Sequence, residues 1–556
     1  MSCAWSTRYA FSNICEAPAA GCTMGLRVVY KCADGTDFPV DWEDAKDAEL
    51  TWLSMRDHKP RPNLPIESSH GTDIWRWVRE VTAEAGLPLS DFVAARAGEF
   101  NGHMYIANLA FVLDPEAALA MGRFLAQYGG PKGVWEMYWL PKVRECCDRL
   151  AATDERASPR ELMDQLHRVY GLTMLQLLEV YGPVVDMAGF LAQELGAEAS
   201  LAAFDLTQGF PHATLEADQA LWEVAQVAKA SPALRAAFEE GVESEALRRA
   251  IEAHPEFKQR FERFMDVYGA RAQDWALSAP TFQERPEIPL AMIAAFLRSD
   301  APAPDEALRR GAERREKALA DLEARIADPA KKGRLRALAA QLADVVPISE
   351  GRAYWQLIAW GYCRTALLRI GARLVREGRI ETPEDVLFLR LEEIEEPEGD
   401  MCSAVRKRRA EWERWAKVAP PPFVGTAPPP FITAAPLAGA LTGGIAPPDV
   451  RVLRGVAASR GRVTARARLL ADLAEGSRLS QGEVLVAVIT APPWTPLFAV
   501  AGAVVTETGG ILSHPAITAR EYGIPCVVAV PGAMARIKDG VLISVDGAAG
   551  TVTIEE

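Results

Sequence analysis

The sequence predicts a multidomain protein: a largely α-helical region over residues 1–418, with room for two subdomains, and a compact α/β domain over residues 451–556. Three observations carry that prediction. Apolar residues recur at helical spacing over long stretches before residue 419. Prolines crowd residues 419–450. Beyond them the chain breaks into short Val- and Ile-rich runs separated by Gly, Pro or Asp-Gly.

The first hundred residues are the least regular. GLRVVYKCADGTDF, around Gly35, reads as a strand, an Asp-Gly turn and a second strand. DAELTWLSMRDHKPRPNLP and GEFNGHMYIANLAF follow without a clear period. Leu162, Leu166 and Val169 then open a helical stripe, and Met174, Leu175, Leu177 and Leu178 make the next stretch apolar on more than one face, as suits a buried helix. Leu319, Leu322 and Ile326 lie at helical spacing, and beyond DPAKKG so do Leu335, Leu338 and Leu342. Two antiparallel helices around a short polar turn are predicted there, with Glu313 and Lys317 paired four residues apart on the first.

From Ala419 to Val450 the chain reads APPPFVGTAPPPFITAAPLAGALTGGIAPPDV. Proline removes backbone donors and favours extended chain, so this segment reads as a semi-rigid linker, equally suited to a swinging arm or a passive spacer. In the last domain GRVTARARLL, EVLVAVIT, AGAVVTET, CVVAV and VLISV–TVTI read as strands. One helix runs from about Pro515 to Tyr522, with Gly523 as its stop and Pro525 just beyond.

Composition narrows the function. A net charge of −14 over 556 residues gives no broad attraction to nucleic acid or anionic membrane, while leaving room for a local basic phosphate pocket. The nine cysteines form no CxxC pair and no metal-ligand rhythm, so no metal site is predicted and reduced thiols are expected. The N-terminus lacks a basic segment followed by an apolar core, and no apolar run reaches the ~18 residues of a membrane span. A soluble cytoplasmic protein is expected.

The chemistry concentrates in TETGGILSHPAITAREYGIP, from Thr506 to Pro525. A strand ends in Gly509 and Gly510, and His514 stands where the helix begins. Glycines let the backbone turn sharply and approach a bulky ligand. Unpaired N–H groups at a helix start favour an anion, and the helix dipole there opposes imidazolium, leaving the neutral, nucleophilic ring. Ser513 either caps the helix or donates to a phosphate oxygen. Thr518, four residues on, shares the face of His514, whereas Arg520, six residues on, falls on another.

TxxGGxxSH followed by AI, AR and GIP resembles the phosphohistidine domain of the PEP-utilising enzymes, among them PEP synthase, pyruvate phosphate dikinase, enzyme I of the sugar phosphotransferase system, rifampicin phosphotransferase and phenylphosphate synthase. The resemblance covers most of Gly455 to Glu556, including GVAASRGRVTARARLL and TAPPWTPLF. Pro515 departs from the Ala or Gly often found after the histidine, a change the first helical turn tolerates. The resemblance implies that His514 takes a phosphoryl group and that the domain swivels between two sites; Thr506, Gly509, Gly510 and Ser513 rank as phosphate contacts above Arg520, whose position the resemblance marks. FMDVYGARAQDWALSAPTFQERPEIPL and RTALLRIGARLVREGRIETPEDVLFL resemble the substrate-binding region of rifampicin phosphotransferase and its relatives.

Neither an ATP-grasp module nor a Walker-type loop is legible, and no PEP-binding barrel is expected after the histidine domain. The division of labour resembles phenylphosphate synthase, whose histidine-bearing subunit is charged by another. It implies a dikinase-type phosphotransferase subunit (EC 2.7.9-like) with no tightly bound cofactor of its own. ATP and Mg²⁺ would sit on an ATP-grasp partner related to PEP/pyruvate-binding domains, and the acceptor would be a phenol or another small organic hydroxyl compound. Two alternatives stand beside it: a dehydratase that phosphorylates an alcohol to eliminate it, and a phosphocarrier or regulatory protein. On the acceptor side the candidate residues are His58, His70, His103, Arg271 and Asp274, with Trp135, Tyr138 and Trp139 suited either to an apolar acceptor or to the core.

Overall fold

The computed structural model describes residues 26–32, 34–56, 58–71, 73–87, 96–107, 115–300, 302–427, 451–511 and 513–555, the side chains of 175–181 excepted. The predicted hairpin is present: β1 (Leu26–Lys31) pairs antiparallel with β2 (Asp37–Trp42), with Gly35 at φ 86° in the turn. A second sheet was not anticipated. β3 (Thr51–Ser54), β4 (Arg96–Phe100), β5 (His103–Ala107) and β6 (Phe423–Gly425) form an antiparallel sheet in the order β4-β5-β3-β6. Its strands are short, and one comes from more than three hundred residues away.

That distant strand corrects the expected linker. Phe423 pairs with Leu53, and Tyr105 Oη donates to the Pro421 carbonyl at 2.8 Å. The proline-rich segment therefore starts docked, as an edge strand, where missing N–H groups cost least. Residues 428–450 lie outside the described residues.

Five long helices of the body frame the site: α1 (Pro159–Leu195), α2 (Ala213–Ala230), α3 (Glu287–Leu297), α4 (Pro304–Arg325) and α5 (Pro329–Arg376). α1 carries the predicted stripe of Leu162, Leu166 and Val169, all buried, while the side chains of Leu175, Leu177 and Leu178 lie outside the described residues. α4 and α5 are the predicted pair, joined around Leu322, Ile326, Leu335, Leu338 and Leu342 in one apolar cluster. Lys317, however, pairs with Asp321 at 2.6 Å, and Glu313 pairs with Arg309. Each had an opposite charge four residues away on either side, and sequence spacing cannot choose between them. α1 and α5 share a large core containing Leu162, Met163, Leu166, Trp360 and Leu367, together with Trp135 and Trp139. Tyr138 packs edge-on against Trp139, so this aromatic group is core packing.

The last domain is one eight-stranded mixed sheet, ordered β7-β14-β13-β9-β10-β11-β12-β8. The strands are β7 (Val452–Arg454), β8 (Val456–Ser459), β9 (Arg462–Leu469), β10 (Val484–Ala487), β11 (Ala503–Thr506), β12 (Cys526–Val528), β13 (Leu542–Asp546) and β14 (Thr551–Ile554). β9 to β12 run parallel, and β10, β11 and β12 are buried on both faces, as parallel strands require. Every strand run predicted from sequence is found, and β7 and β8, only three and four residues long, are the additions.

Alternate residues of these strands feed two cores. Val484, Val486, Val505, Val527 and Val545 pack together on one face. Leu485, Val504, Cys526 and Val528 pack on the other, against α6 (His514–Tyr522) and the segment Trp494–Phe498. This second core runs on into the helical body through Phe282, Ile288, Met292 and Phe296. α3 is apolar all round because it is buried between the two units. Among the described residues no helix is long and apolar enough to cross a membrane.

Candidate functional site

β11 delivers the chain into the glycine turn, and the turn's hydroxyls are used to close it. Thr506 Oγ1 donates to the Thr508 carbonyl at 2.6 Å, and Ser513 Oγ donates to the Gly510 carbonyl at 2.6 Å. Gly509 sits at φ 111°, where a Cβ would come within 2.8 Å of Ser513 Oγ, so glycine is required. Ser513 occupies the N-cap position with extended backbone (ψ 159°) but gives no side-chain bond to a helix N–H. His514 is then the first residue of α6 and Pro515 the second. The helix ends as predicted at Gly523, in the left-handed region at φ 69°. Arg314 of α4 donates there to the carbonyls of Arg520 (3.1 Å) and Glu521 (2.6 Å), a cation at the negative end of the helix.

The imidazole of His514 is enclosed, its side chain 7% exposed. Thr495 Oγ1 lies 3.4 Å from Nε2, Thr518 Oγ1 lies 3.4 Å from both ring nitrogens, and Phe498 approaches edge-on. Across the boundary, Glu350 of α5 places Oε2 3.6 Å from Nδ1, and its side chain is 6% exposed.

Glu350 belongs to a buried group of charges between the two units. Burial would raise its carboxyl, but His514, with His212 and Arg352 behind it, outweighs burial and holds it down at about 2. His212, at the start of α2, meets Glu521 of α6 at 3.1 Å. Asp218 of α2 is pushed up to about 8 by burial, against the pull of Arg271 and His212. Arg271 is 2% exposed, and burial lowers it while Asp218, Tyr354 and Glu350 oppose that shift. Gly361 of α5 seats it: a Cβ there would come within 1.6 Å of the Ala270 carbonyl, and Ala272 N donates to Leu357 O at 3.1 Å. Arg271 Nε and Nη2, Arg352 Nε, Asp218 Oδ2 and Glu350 Oε2 have no hydrogen-bond partner among the described residues. Buried donors left open in this way are suited to an anion that the polypeptide does not supply.

The sequence-predicted residues divide accordingly. His514, Gly509, Gly510, Ser513 and Thr518 are together, and Arg271 joins their neighbourhood through Glu350. Thr506 lies beneath the turn with its hydroxyl engaged. Arg520 is a correction: Nη1 donates to Ala458 O and Nη2 to Ile511 O, each at 2.8 Å, so its fork ties β8 to the glycine turn. His103 is another. It is 2% exposed, beside Phe38, with Nε2 3.3 Å from the Trp415 carbonyl, and burial lowers it to about 4. It belongs to the β-sheet core. His58 is exposed, tilted against Trp275, and His70 lies in a group of near-parallel rings with Trp77 and His167, with Asp164 at 2.9 Å. Asp274 Oδ1 has no hydrogen-bond partner among the described residues, and burial raises its carboxyl against the pull of Arg61 and Lys59.

Sequence reasoning missed Glu350, His212, Asp218, Glu521 and Thr495. The available signal was polar residues at otherwise apolar helical positions, Glu350 in VVPISEGRAYW above all. Among the described residues no three His, Cys, Asp or Glu side chains are gathered to hold a metal ion.

Two parts of the chain match known domain families. Residues 479–550 match the PEP-utilising enzyme mobile domain, and residues 176–350 match the rifampicin phosphotransferase fourth domain. A rifampicin phosphotransferase of Streptomyces sp is 34% identical over 370 residues, 64% of this chain and 41% of that protein. The uncharacterized phosphotransferase YvkC of Bacillus subtilis is 28% identical, covering 90% of this chain and 62% of its own length. Chondramide synthase cmdD of Chondromyces crocatus is 27% identical over 93% of this chain, which spans only 14% of that protein. The chain thus spans less than two thirds of the length of each of these relatives. The chain therefore contains a PEP-utilising enzyme mobile domain, with His514 at the head of its helix, preceded by a region similar to the rifampicin phosphotransferase fourth domain.

Proposed function

We propose that the chain is a phosphotransferase component that carries a phosphoryl group on His514 and passes it to a hydroxyl of a small organic acceptor, phenol-like or another alcohol, held by the helical body. The observation that carries this reading is the enclosed His514 at a helix start, facing a buried charge group in which Arg271 keeps donors open. The names of the rifampicin phosphotransferase relatives favour the same chemistry.

In this reading a neutral imidazole nitrogen attacks the phosphoryl group on the partner as its bond to the nucleotide oxygen breaks, the unpaired N–H groups of α6 stabilising the charge on its oxygens. The Arg271 fork does so when the domain has returned to the helical body to discharge. The phosphoryl group comes from ATP with Mg²⁺ on an ATP-grasp partner in the cytoplasm, as in a dikinase divided like phenylphosphate synthase. The histidine domain leaves the helical body to be charged and returns to discharge. Each departure exposes the apolar face around Phe282, Phe296, Leu497 and Phe498, so the docked state is the resting one.

The test is labelling with β-labelled ATP in the presence of the partner. Acid-labile, base-stable label is expected on the wild-type chain and absent from His514→Ala, and equal labelling of the variant would refute the assignment. The chain without its partner is expected to show no micromolar MgATP binding by calorimetry. Release of a phosphorylated small molecule supports phosphotransfer as such. Loss of water from the acceptor would identify a dehydratase instead, and transfer only to a polypeptide a phosphocarrier.

A further inference from the structure

A phosphohistidine that travels must survive the journey and react on arrival, and something at the destination has to make the difference. Among the described residues the one carboxylate within ion-pair reach of the His514 ring is Glu350, 3.6 Å from Nδ1. It comes from the helical body, so the histidine acquires it only on docking. Thr518 Oγ1 also lies 3.4 Å from Nδ1, but it is a neutral acceptor that travels with the histidine, and Thr495 Oγ1 faces Nε2 instead. At 3.6 Å the contact is long for a hydrogen bond but within ion-pair reach, and catalytic contacts commonly tighten once the reacting group is bound.

We infer that Glu350 is the positioning residue that turns docked phosphohistidine into a phosphoryl donor, by accepting the Nδ1–H and leaving Nε2 as the phosphoryl-bearing nitrogen. The inference rests on the phosphohistidine reading above. A ring protonated on Nδ1 departs as neutral imidazole, whereas an unprotonated ring would depart as an anion. The acceptor oxygen forms its bond to phosphorus as the P–Nε2 bond breaks, and that electron pair returns to Nε2. The hydroxyl proton ends on a phosphoryl oxygen of the product monoester, and Nδ1 keeps its proton on Glu350. Charge balances without any further reactant: the ring loses one positive charge and the phosphoryl group gains one proton.

The neighbours of Glu350 fit this role. Arg352 of its own helix, His212 at the start of α2 and Arg271 supply positive charge, while Asp218 and Glu521 lie farther from the ring. The carboxylate is thereby kept ionised and ready to accept. On an undocked domain none of these groups faces the ring, and Nδ1–H keeps only the neutral Thr518 hydroxyl as an acceptor.

Two measurements on the full chain test this. Nitrogen-15 spectra of histidine-labelled protein should place the His514 proton on Nδ1 in the wild type and shift it toward Nε2 in Glu350→Gln. The chain is also phosphorylated with phosphoramidate, and loss of phosphate to water is followed from pH 6 to 9. Near pH 8 the wild type should lose phosphate about tenfold faster than Glu350→Gln, whose profile falls off at lower pH, with Glu350→Asp between them. Identical tautomers and superimposable profiles would overturn the role of Glu350. Label that persists in His514→Ala would instead overturn the phosphohistidine reading itself, and the spectra would still judge the contact.

Discussion

His212 Nε2 lies 3.1 Å from Glu521 Oε1 across the boundary between helical body and histidine domain, with the two side chains 2% and 3% exposed. The pair binds the helix that carries His514 to the helix that begins at Ala213. Burial opposes charging His212, but Glu521, with Glu350 and Asp218 behind it, outweighs burial and raises it.

A group raised in the folded state contributes stability that is full below its unfolded value, about 6.5, and is lost as pH rises through the folded one. Asp218, raised to about 8 by burial, adds a loss over the interval from its unfolded value to that pH. Denaturant midpoints should therefore be higher at pH 6 than at pH 9. His212→Gln should flatten part of that slope, and the double variant with Asp218→Asn should flatten most of it. Glu521→Gln should cost about 3–5 kcal/mol at pH 6, as expected when a buried pair loses one partner. Midpoints that ignore all three changes would remove the pair from the docking interface.

Arg520→Lys separates a structural clamp from a phosphate contact. Its two bonds to Ala458 and Ile511 predict a stability loss of about 1–3 kcal/mol, with labelling of His514 falling only as far as the turn loosens. Normal thermal stability with labelling abolished would mean that the guanidinium serves the phosphoryl group directly.

Arg271→Lys should spare charging and damage discharge. Arg271 lies on the helical body, away from any partner that loads His514, so label should accumulate normally. Transfer to the acceptor should fall by about 10²–10³-fold, the usual cost of removing one well-placed donor to developing charge. Slow labelling with normal discharge would reverse the assignment.

Removing about a dozen residues between 428 and 450 tests the need for reach. Travel of the histidine domain needs a minimum length of chain between the two units, so shortening this segment should suppress turnover while the unfolding midpoint changes little. Unchanged turnover would mean that His514 serves both reactions from one position.

The sequence by itself determined the histidine domain almost completely. Parallel strands are continuous apolar runs, Gly509 and Gly510 announce the turn, and Gly523 ends the helix, all within one short stretch of chain. Local chemistry of that kind is written where it acts. Thr518 was legible on the face of His514 for the same reason, since one helical turn sets both.

What surrounds His514 on the other side was decided by tertiary structure. Glu350 is 164 residues away in sequence, inside a helix whose pattern announces only packing, and it becomes distinctive only because docking sets it against the imidazole. Arg271 and Arg520 show the two outcomes open to a buried arginine. Arg271 has Nε and Nη2 left open, while Arg520 spends Nη1 and Nη2 on backbone carbonyls. No residue spacing distinguishes them, because burial and partners are properties of the packed chain. The same holds for Phe423, which reads as linker until Leu53 offers it a strand to pair with.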